Sequence, residues 1–402
     1  MFRRCRAITA LPVRATCFRG CSGSHKDSGS KTTAAKDADA SPLRRLLDES
    51  SAFNEADHSE GELHWATQPY AAQRPGSKSR APPAPVPADT TVILFPGQGT
   101  HFVGMGSRFA DIPPARQLYD LASNVVGWDM WEVCTRGPAE RLEEAAQQCV
   151  TVTALAALEA ARDQRPAAVE RAVAAAGFSL GEFAAMVFAG ALSLEGALRV
   201  LGVRAAAMRA ASADRPGGML TLWLAPDARL PAALAAARDA ARSADPESPD
   251  PVCTVASDLH PGCKVIAGDE ASLRFLERNG RQYGIKRAAR VAGCGPFHSV
   301  LMAATREPVA AALAAAGVEK PRLAVWGGVE ARPYRDAHHV SKGLAKLAAQ
   351  PLRWEQTLHG LFARPRDAAL PLTLALGPGR ALRATLKKVN ARAWDVSLQI
   401  DV

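Results

Sequence analysis

The stretch AVAAAGFSLGEFAAMVFAGAL, residues 172–192, carries the tightest folding constraint in the chain. The apolar run at 172–176 is too short for a stable helix and reads as a buried strand. The segment from about 181 to 190 has the length and composition of a helix. Between them the backbone must change character within Gly177-Phe178-Ser179-Leu180-Gly181. Glycines at both ends of that pentapeptide permit a sharp turn where a Cβ would obstruct it. The one hydroxyl then projects past the strand end, with backbone N–H groups facing the same point. A helix-capping turn can use the same letters, but the strand before and the helix after favour an activated serine.

The surrounding pattern is that of an α/β protein. Thr91–Phe95 (TVILF) is a β-branched strand that stops at Pro96-Gly97, and further strands are expected at Leu323–Trp326 and Leu370–Leu376. Helical patterns at roughly 114–126, 151–163 and 194–212 alternate with these, which predicts a parallel layer. A different order occupies the middle of the chain. Strands at 219–225, 251–257, 263–268 and 286–293 and helices at 230–244 and 271–280 give β-α-β-β-α-β. That is the split βαβ order of ferredoxin-like folds. The expectation is a small subdomain, 213–291, inserted in a larger α/β domain that spans 90–402.

Six of the nine net positive charges lie in the first 26 residues (Arg3, Arg4, Arg6, Arg14, Arg19, Lys26), which contain no acid. With no long apolar core, this composition predicts a mitochondrial transit peptide over about 1–26. The +3 left for the remainder is too little to imply nucleic-acid binding. Residues 27–89, rich in Ser, Asp, Ala and Pro, read as a disordered linker. No run approaches the length of a membrane span. The eight cysteines form no CxxC or other metal pattern, and no metal or cofactor is expected; Cys134, Cys149, Cys253, Cys263 and Cys294 read as reduced thiols, mostly buried.

A serine nucleophile needs a base. Of nine histidines, His101, His260 and His298 lie outside tail, linker and exposed surroundings; His298 in the turn GPFHSVLM leads, and His101 beside the first glycine loop is its main competitor. That loop, FPGQGTHFVGMG (95–106), fits neither nucleotide pattern: a dinucleotide fingerprint would need Gly at 102, where Phe102 stands, and a P-loop would need Gly-Lys-Ser/Thr. Its alternative use is an oxyanion hole, with a backbone N–H near Gln98 acting alongside that of Leu180.

In order, PGQGTHFVGMG, GFSLGEF, GPFH and GPGR resemble the malonyl-CoA:acyl carrier protein transacylase family in its mitochondrial form, over about residues 91–390. The resemblance implies an α/β-hydrolase-like large subdomain with a parallel sheet and an inserted ferredoxin-like one. It implies acyl transfer from malonyl-CoA to acyl carrier protein in mitochondrial fatty acid synthesis, with both molecules as partners and no cofactor. Residue by residue, Ser179 matches the acylated serine, His298 the base, and Gln98 and Leu180 the oxyanion donors. Arg204 matches the arginine that holds the malonyl carboxylate. Phe297 resembles a residue that narrows the pocket toward malonyl, and His101 replaces the second Gln of the usual GQGSQ. A backbone carbonyl near Leu347–Gln350, rather than an acid, is expected to orient the histidine. Other departures are Phe178 before the serine and Ser257-Asp258 where Asn is common. Lys342, Lys346 and Arg380 are candidate basic groups for an acidic carrier. The rival readings are a serine esterase or lipase of patatin-like or α/β-hydrolase type, and a non-catalytic scaffold.

Overall fold

The structure, a computed structural model, describes residues 86–246, 250–291 and 293–402. The expected presequence, and the expected linker as far as residue 85, lie outside them. In chain order the strands are β1 Thr91–Phe95, β2 Ala172–Gly177, β3 Gly217–Leu224, β4 Cys253–His260, β5 Cys263–Asp269, β6 Ile285–Arg290, β7 Ala324–Gly327, β8 Arg332–Pro333, β9 Leu372–Leu376 and β10 Ser397–Ile400.

Six of them form one sheet in the order β10-β9-β1-β2-β7-β8, parallel throughout except for the short β8, which returns antiparallel beside β7. Strand β1 is buried along its whole length. Ile93 and Phe95 enter a core built with the helix Ala146–Gln164. Val92 and Leu94 enter a second core with Trp354, Leu358 and Leu386. A parallel sheet covered on both faces explains why its strands read as continuous apolar runs. The helix Ala146–Gln164 is buried over most of its circumference and begins before the expected position 151. Its first turn, AQQC, lacks an apolar stripe, so periodicity alone could not place the start.

Strands β3 to β6 form a separate antiparallel sheet in the order β4-β5-β3-β6. With the helices Leu230–Ala244 and Glu270–Asn279 this is the anticipated β-α-β-β-α-β order. One face packs Leu220, Leu222 and Ile266 against those helices, which contribute Leu234, Leu273 and Leu276. The other presents Met219, Val265 and Ala267 to Phe178 and Phe297, bringing the small sheet against the turns that carry Ser179 and His298. The short helices Met130–Arg136 and Ala139–Glu144, and the strands β8 and β10, had no distinct sequence pattern. They are too short for a period to establish itself. Cys134, Cys149, Cys253, Cys263 and Cys294 are free thiols, and all but Cys294 are buried.

Because the small sheet has its own core, truncating that core tests its contribution directly. Leu222, fully buried there, should cost about 2–5 kcal/mol as Leu222→Ala, measured as a lower urea midpoint at constant m-value.

Candidate active site

Strand β2 ends at Gly177, and the helix Gly181–Phe188 starts four residues later. The chain is crowded there. A Cβ on Gly177 would stand 2.0 Å from the Gly181 carbonyl carbon, and one on Gly181 would stand 2.3 Å from Phe95 O. Backbone occupies both spaces, so both positions require glycine. Phe178 N–H donates to Phe95 O at 3.0 Å, tying the turn to the end of β1. Ser179 itself sits at φ 52°, a left-handed conformation that residues with a Cβ rarely adopt.

Ser179 Oγ lies 2.8 Å from His298 Nε2, and both side chains are buried. His298 is likewise left-handed, at φ 60°. Its backbone N–H donates to Ala348 O at 2.7 Å, and its Nδ1 faces Leu347 O at 2.9 Å and Gln350 O at 3.2 Å. Carbonyl oxygens only accept, so Nδ1 must carry the ring proton. Nε2 is therefore left with its lone pair toward the serine hydroxyl. Burial, reinforced by the charge of Arg204, pushes the His298 pKa down to about 4 against the bonds to Leu347 and Gln350. The imidazole is neutral at physiological pH.

The N–H groups of Gly181, Glu182 and Phe183 turn back to the carbonyls of Phe178, Ser179 and Leu180. Those of Leu180 and Gln98 have no backbone acceptor among the described residues. Gln98 also lines an apolar cleft with Phe178, Leu259 and Trp354. Phe178 meets Trp354 edge to face at 5.4 Å.

Arg204, on the helix Leu194–Asp214, is 1% exposed. Its Nη1 donates to Gln147 Oε1 at 2.7 Å, its guanidinium lies 5.7 Å from the Phe183 ring centre, and its Nε has no hydrogen-bond partner. No carboxylate within ion-pair distance satisfies it among the described residues. Burial lowers its pKa to about 10, opposed by Glu182. Glu182, fully buried three residues after the serine, accepts from Gly328 N–H at 2.9 Å and Tyr334 OH at 2.7 Å. Burial raises it to about 7 in spite of those two donors. The guanidinium, bonded to one amide and set beside an aromatic ring, keeps donor capacity to spare, and its planar fork suits a carboxylate better than an ammonium would.

The other expected residues fall as follows. Phe297 packs against Met208, Ala211 and Met302 on one side and the small sheet on the other. His101 is buried, but its Nε2 meets Glu143 Oε2 at 2.8 Å, so His298 and not His101 is the imidazole hydrogen-bonded to Ser179. Lys346 pairs with Glu330, and Arg380 with Asp401. Gln147 and Glu182 are polar groups that sequence reasoning passed over. Glu182 had a signal, being the one charge in an otherwise apolar helix; Gln147 had none. Among the described residues no His, Cys, Asp or Glu cluster could hold a metal, and no helix is long and apolar enough to cross a membrane.

A hydroxyl at a strand–helix elbow, paired with a neutral imidazole, suits nucleophilic chemistry at an acyl carbon, and residues 92–369 match the acyl transferase domain family. The chain is 42% identical to a probable mitochondrial malonyl-CoA-acyl carrier protein transacylase of Drosophila melanogaster, over 79% of this chain and 84% of that one. It is 40% identical to the mitochondrial malonyl-CoA-acyl carrier protein transacylase of Homo sapiens, over 79% and 81%. Among solved structures it resembles the acyl-carrier-protein S-malonyltransferase of Burkholderia pseudomallei, at 28% identity and TM-score 0.67 over 77% of this chain and 96% of that one. The enzyme from Vibrio cholerae gives 25% and 0.69 over 78% and 98%. This chain is an acyltransferase and belongs to the malonyl-CoA:acyl carrier protein transacylase family.

The depressed His298 pKa has a consequence for stability. The unfolded chain takes up the imidazole proton near the ordinary value of 6.5, whereas the folded one resists until about 4. Stability is therefore lost as pH falls from 6.5, and the loss is complete near 4. Glu182, raised from 4.5 to about 7, acts in the opposite sense over its own window. Comparison with His298→Gln isolates the histidine. Between pH 7 and 5 the wild type should lose more unfolding free energy than the variant, measured by urea denaturation at each pH.

Proposed function

We propose that this chain moves the malonyl group of malonyl-CoA to the phosphopantetheine thiol of acyl carrier protein by a ping-pong route through a malonyl-serine ester, with no cofactor. The observation that carries the reading is the 2.8 Å contact between Ser179 and His298, with the buried, under-satisfied Arg204 acting on the same imidazole. In this reading the malonyl carboxylate pairs with Arg204, and the thioester oxygen takes the N–H groups of Gln98 and Leu180. Ser179 Oγ attacks the thioester carbon as its proton passes to His298 Nε2. The tetrahedral adduct collapses, the C–S bond breaks, and the CoA thiolate takes that proton. The carrier's thiol then gives its proton to His298 and attacks the ester; Ser179 leaves and is reprotonated.

The electrostatics favour a dicarboxylic acyl group. Arg204 helps to hold the resting imidazole at low basicity. A carboxylate seated on Arg204 would cancel part of that repulsion, strengthening the base once the right substrate is in place. Phe297 narrows the acyl pocket, and His101 braces the first glycine loop through Glu143. Excluding water from the ester until the carrier docks favours thiol over hydrolysis. A conventional hydrolase triad would place an acid on His298 Nδ1, where two carbonyls stand instead. The relatives in fly and human are named mitochondrial. With the Arg-rich, acid-free start, this supports import by a transit peptide over about 1–26, action in the matrix, and 90–402 as the acyltransferase domain with 213–291 inserted.

Mixing the protein with malonyl-CoA should leave a malonyl adduct on Ser179, seen by intact and peptide mass spectrometry. Ser179→Ala should lower malonyl transfer by more than about 10³-fold, and transfer at wild-type rate would end the proposal. Arg204→Ala should slow malonyl loading by roughly 10²-fold and leave acetyl loading equal or faster. Equal losses on both would assign Arg204 a merely structural part.

A further inference from the structure

We propose that Lys264, held between Asp258 and Glu355, is a positioning residue for the Ser179–His298 pair, acting through the loop that orients the imidazole. Its ammonium lies 3.1 Å from Asp258 Oδ1 and 3.0 Å from Glu355 Oε2. Lys264 and Asp258 are cross-strand partners on β5 and β4 of the small sheet. Glu355, 1% exposed, opens the helix Trp354–Leu361, which packs in the core of the large sheet. The ammonium therefore bridges the two sheets' territories.

The bridge lands beside the loop 347–353. That loop supplies Leu347 O and Gln350 O to His298 Nδ1, and Ala348 O to its backbone N–H. The far end of the same loop is stitched to β4. Asp258 N–H donates to Leu352 O at 2.9 Å, and Leu352 N–H donates to Ala256 O at 2.8 Å. Asp258 is thus both a backbone anchor of the loop and a ligand of Lys264, and Glu355 follows the loop by two residues. Leu259 and Trp354, each adjacent to one of the two carboxylates, line the apolar cleft with Gln98 and Phe178. A change in the strut moves the loop's anchor, and with it the two carbonyls that aim Nε2.

Stability alone does not account for the arrangement. Taking the ammonium and the Glu355 carboxylate out of water, with Asp258 partly so, costs about what their attraction returns, and an apolar pair of similar volume would pack as well. Burial works against the ammonium, but Asp258 and Glu355 outweigh it and hold the Lys264 pKa above its ordinary value. The charge is kept, and with it a fixed distance between β4 and the helix that follows the loop. An apolar contact, being non-directional, would not impose that distance.

The inference rests on Ser179 and His298 being the reacting pair, so its test reads that pair without malonyl chemistry. In the full chain, the second-order rate of Ser179 modification by a fluorophosphonate, per reactive serine, is compared across variants. Lys264→Met/Glu355→Leu, which leaves no opposing charge buried at Glu355, should remain folded by circular dichroism and react roughly 10- to 100-fold more slowly. Lys264→Arg, which keeps the charge, should recover most of the rate. Should the double variant fail to fold, Glu355→Gln reads the same quantity and should slow the reaction at least about threefold at unchanged folded fraction. A wild-type rate in the folded charge-removing variant, or a slowing that Lys264→Arg shares in full, overturns the proposal. A wild type that takes the phosphonate but no malonyl group would sink the transfer reading, while the Lys264 comparison would still be decided by the phosphonate rates.

Discussion

The hydrogen bond from Ser179 to His298 joins residues 119 apart in sequence, and most of the architecture serves to hold it. Both residues are left-handed, which costs roughly 1–3 kcal/mol apiece. Such strain persists only where the surroundings over-determine it. At the serine those surroundings are two glycines pressed against backbone and the bond from Phe178 to the end of β1. At the histidine they are three bonds to carbonyls of a single loop, one through the backbone and two through Nδ1.

Replacing an acid by carbonyls at Nδ1 changes the electrostatics. A carboxylate would orient the ring and also stabilise its positive form. Carbonyl dipoles orient it and help less, so burial dominates and the imidazole stays neutral. The buried charges nearby then matter more. Arg204 opposes protonation of His298, Glu182 supports the charge of Arg204 against burial, and Glu182 is itself held by Gly328 and Tyr334. These three buried groups are electrostatically linked, so a change at any one of them shifts the protonation of the others.

Much of the fold is legible because its signals are local. The strand TVILF, the β-α-β-β-α-β series and the glycine-flanked serine each occupy a short window in which backbone sterics and apolar spacing decide the outcome. Short elements such as β8 and Ala139–Glu144 are not legible, because two to six residues cannot display a period. Among polar groups, Glu182 stands out as a charge in an apolar helix, while Gln147 looks like any surface residue until Arg204 is seen against it. Lys264 and Glu355, 91 residues apart, carry no mark of their pairing.

By itself the sequence determined where the chain must turn, which hydroxyl stands at the turn, and that a small split-βαβ unit interrupts a parallel α/β layer. Those outcomes depend on contacts between near neighbours, which residue identity specifies. Tertiary structure decided how closely the imidazole of His298 approaches the serine, which hydrogen bonds fix its tautomer, and how far burial shifts each buried charge. Distances between remote segments and exclusion of water set those quantities, and neither is a property of any short stretch of chain.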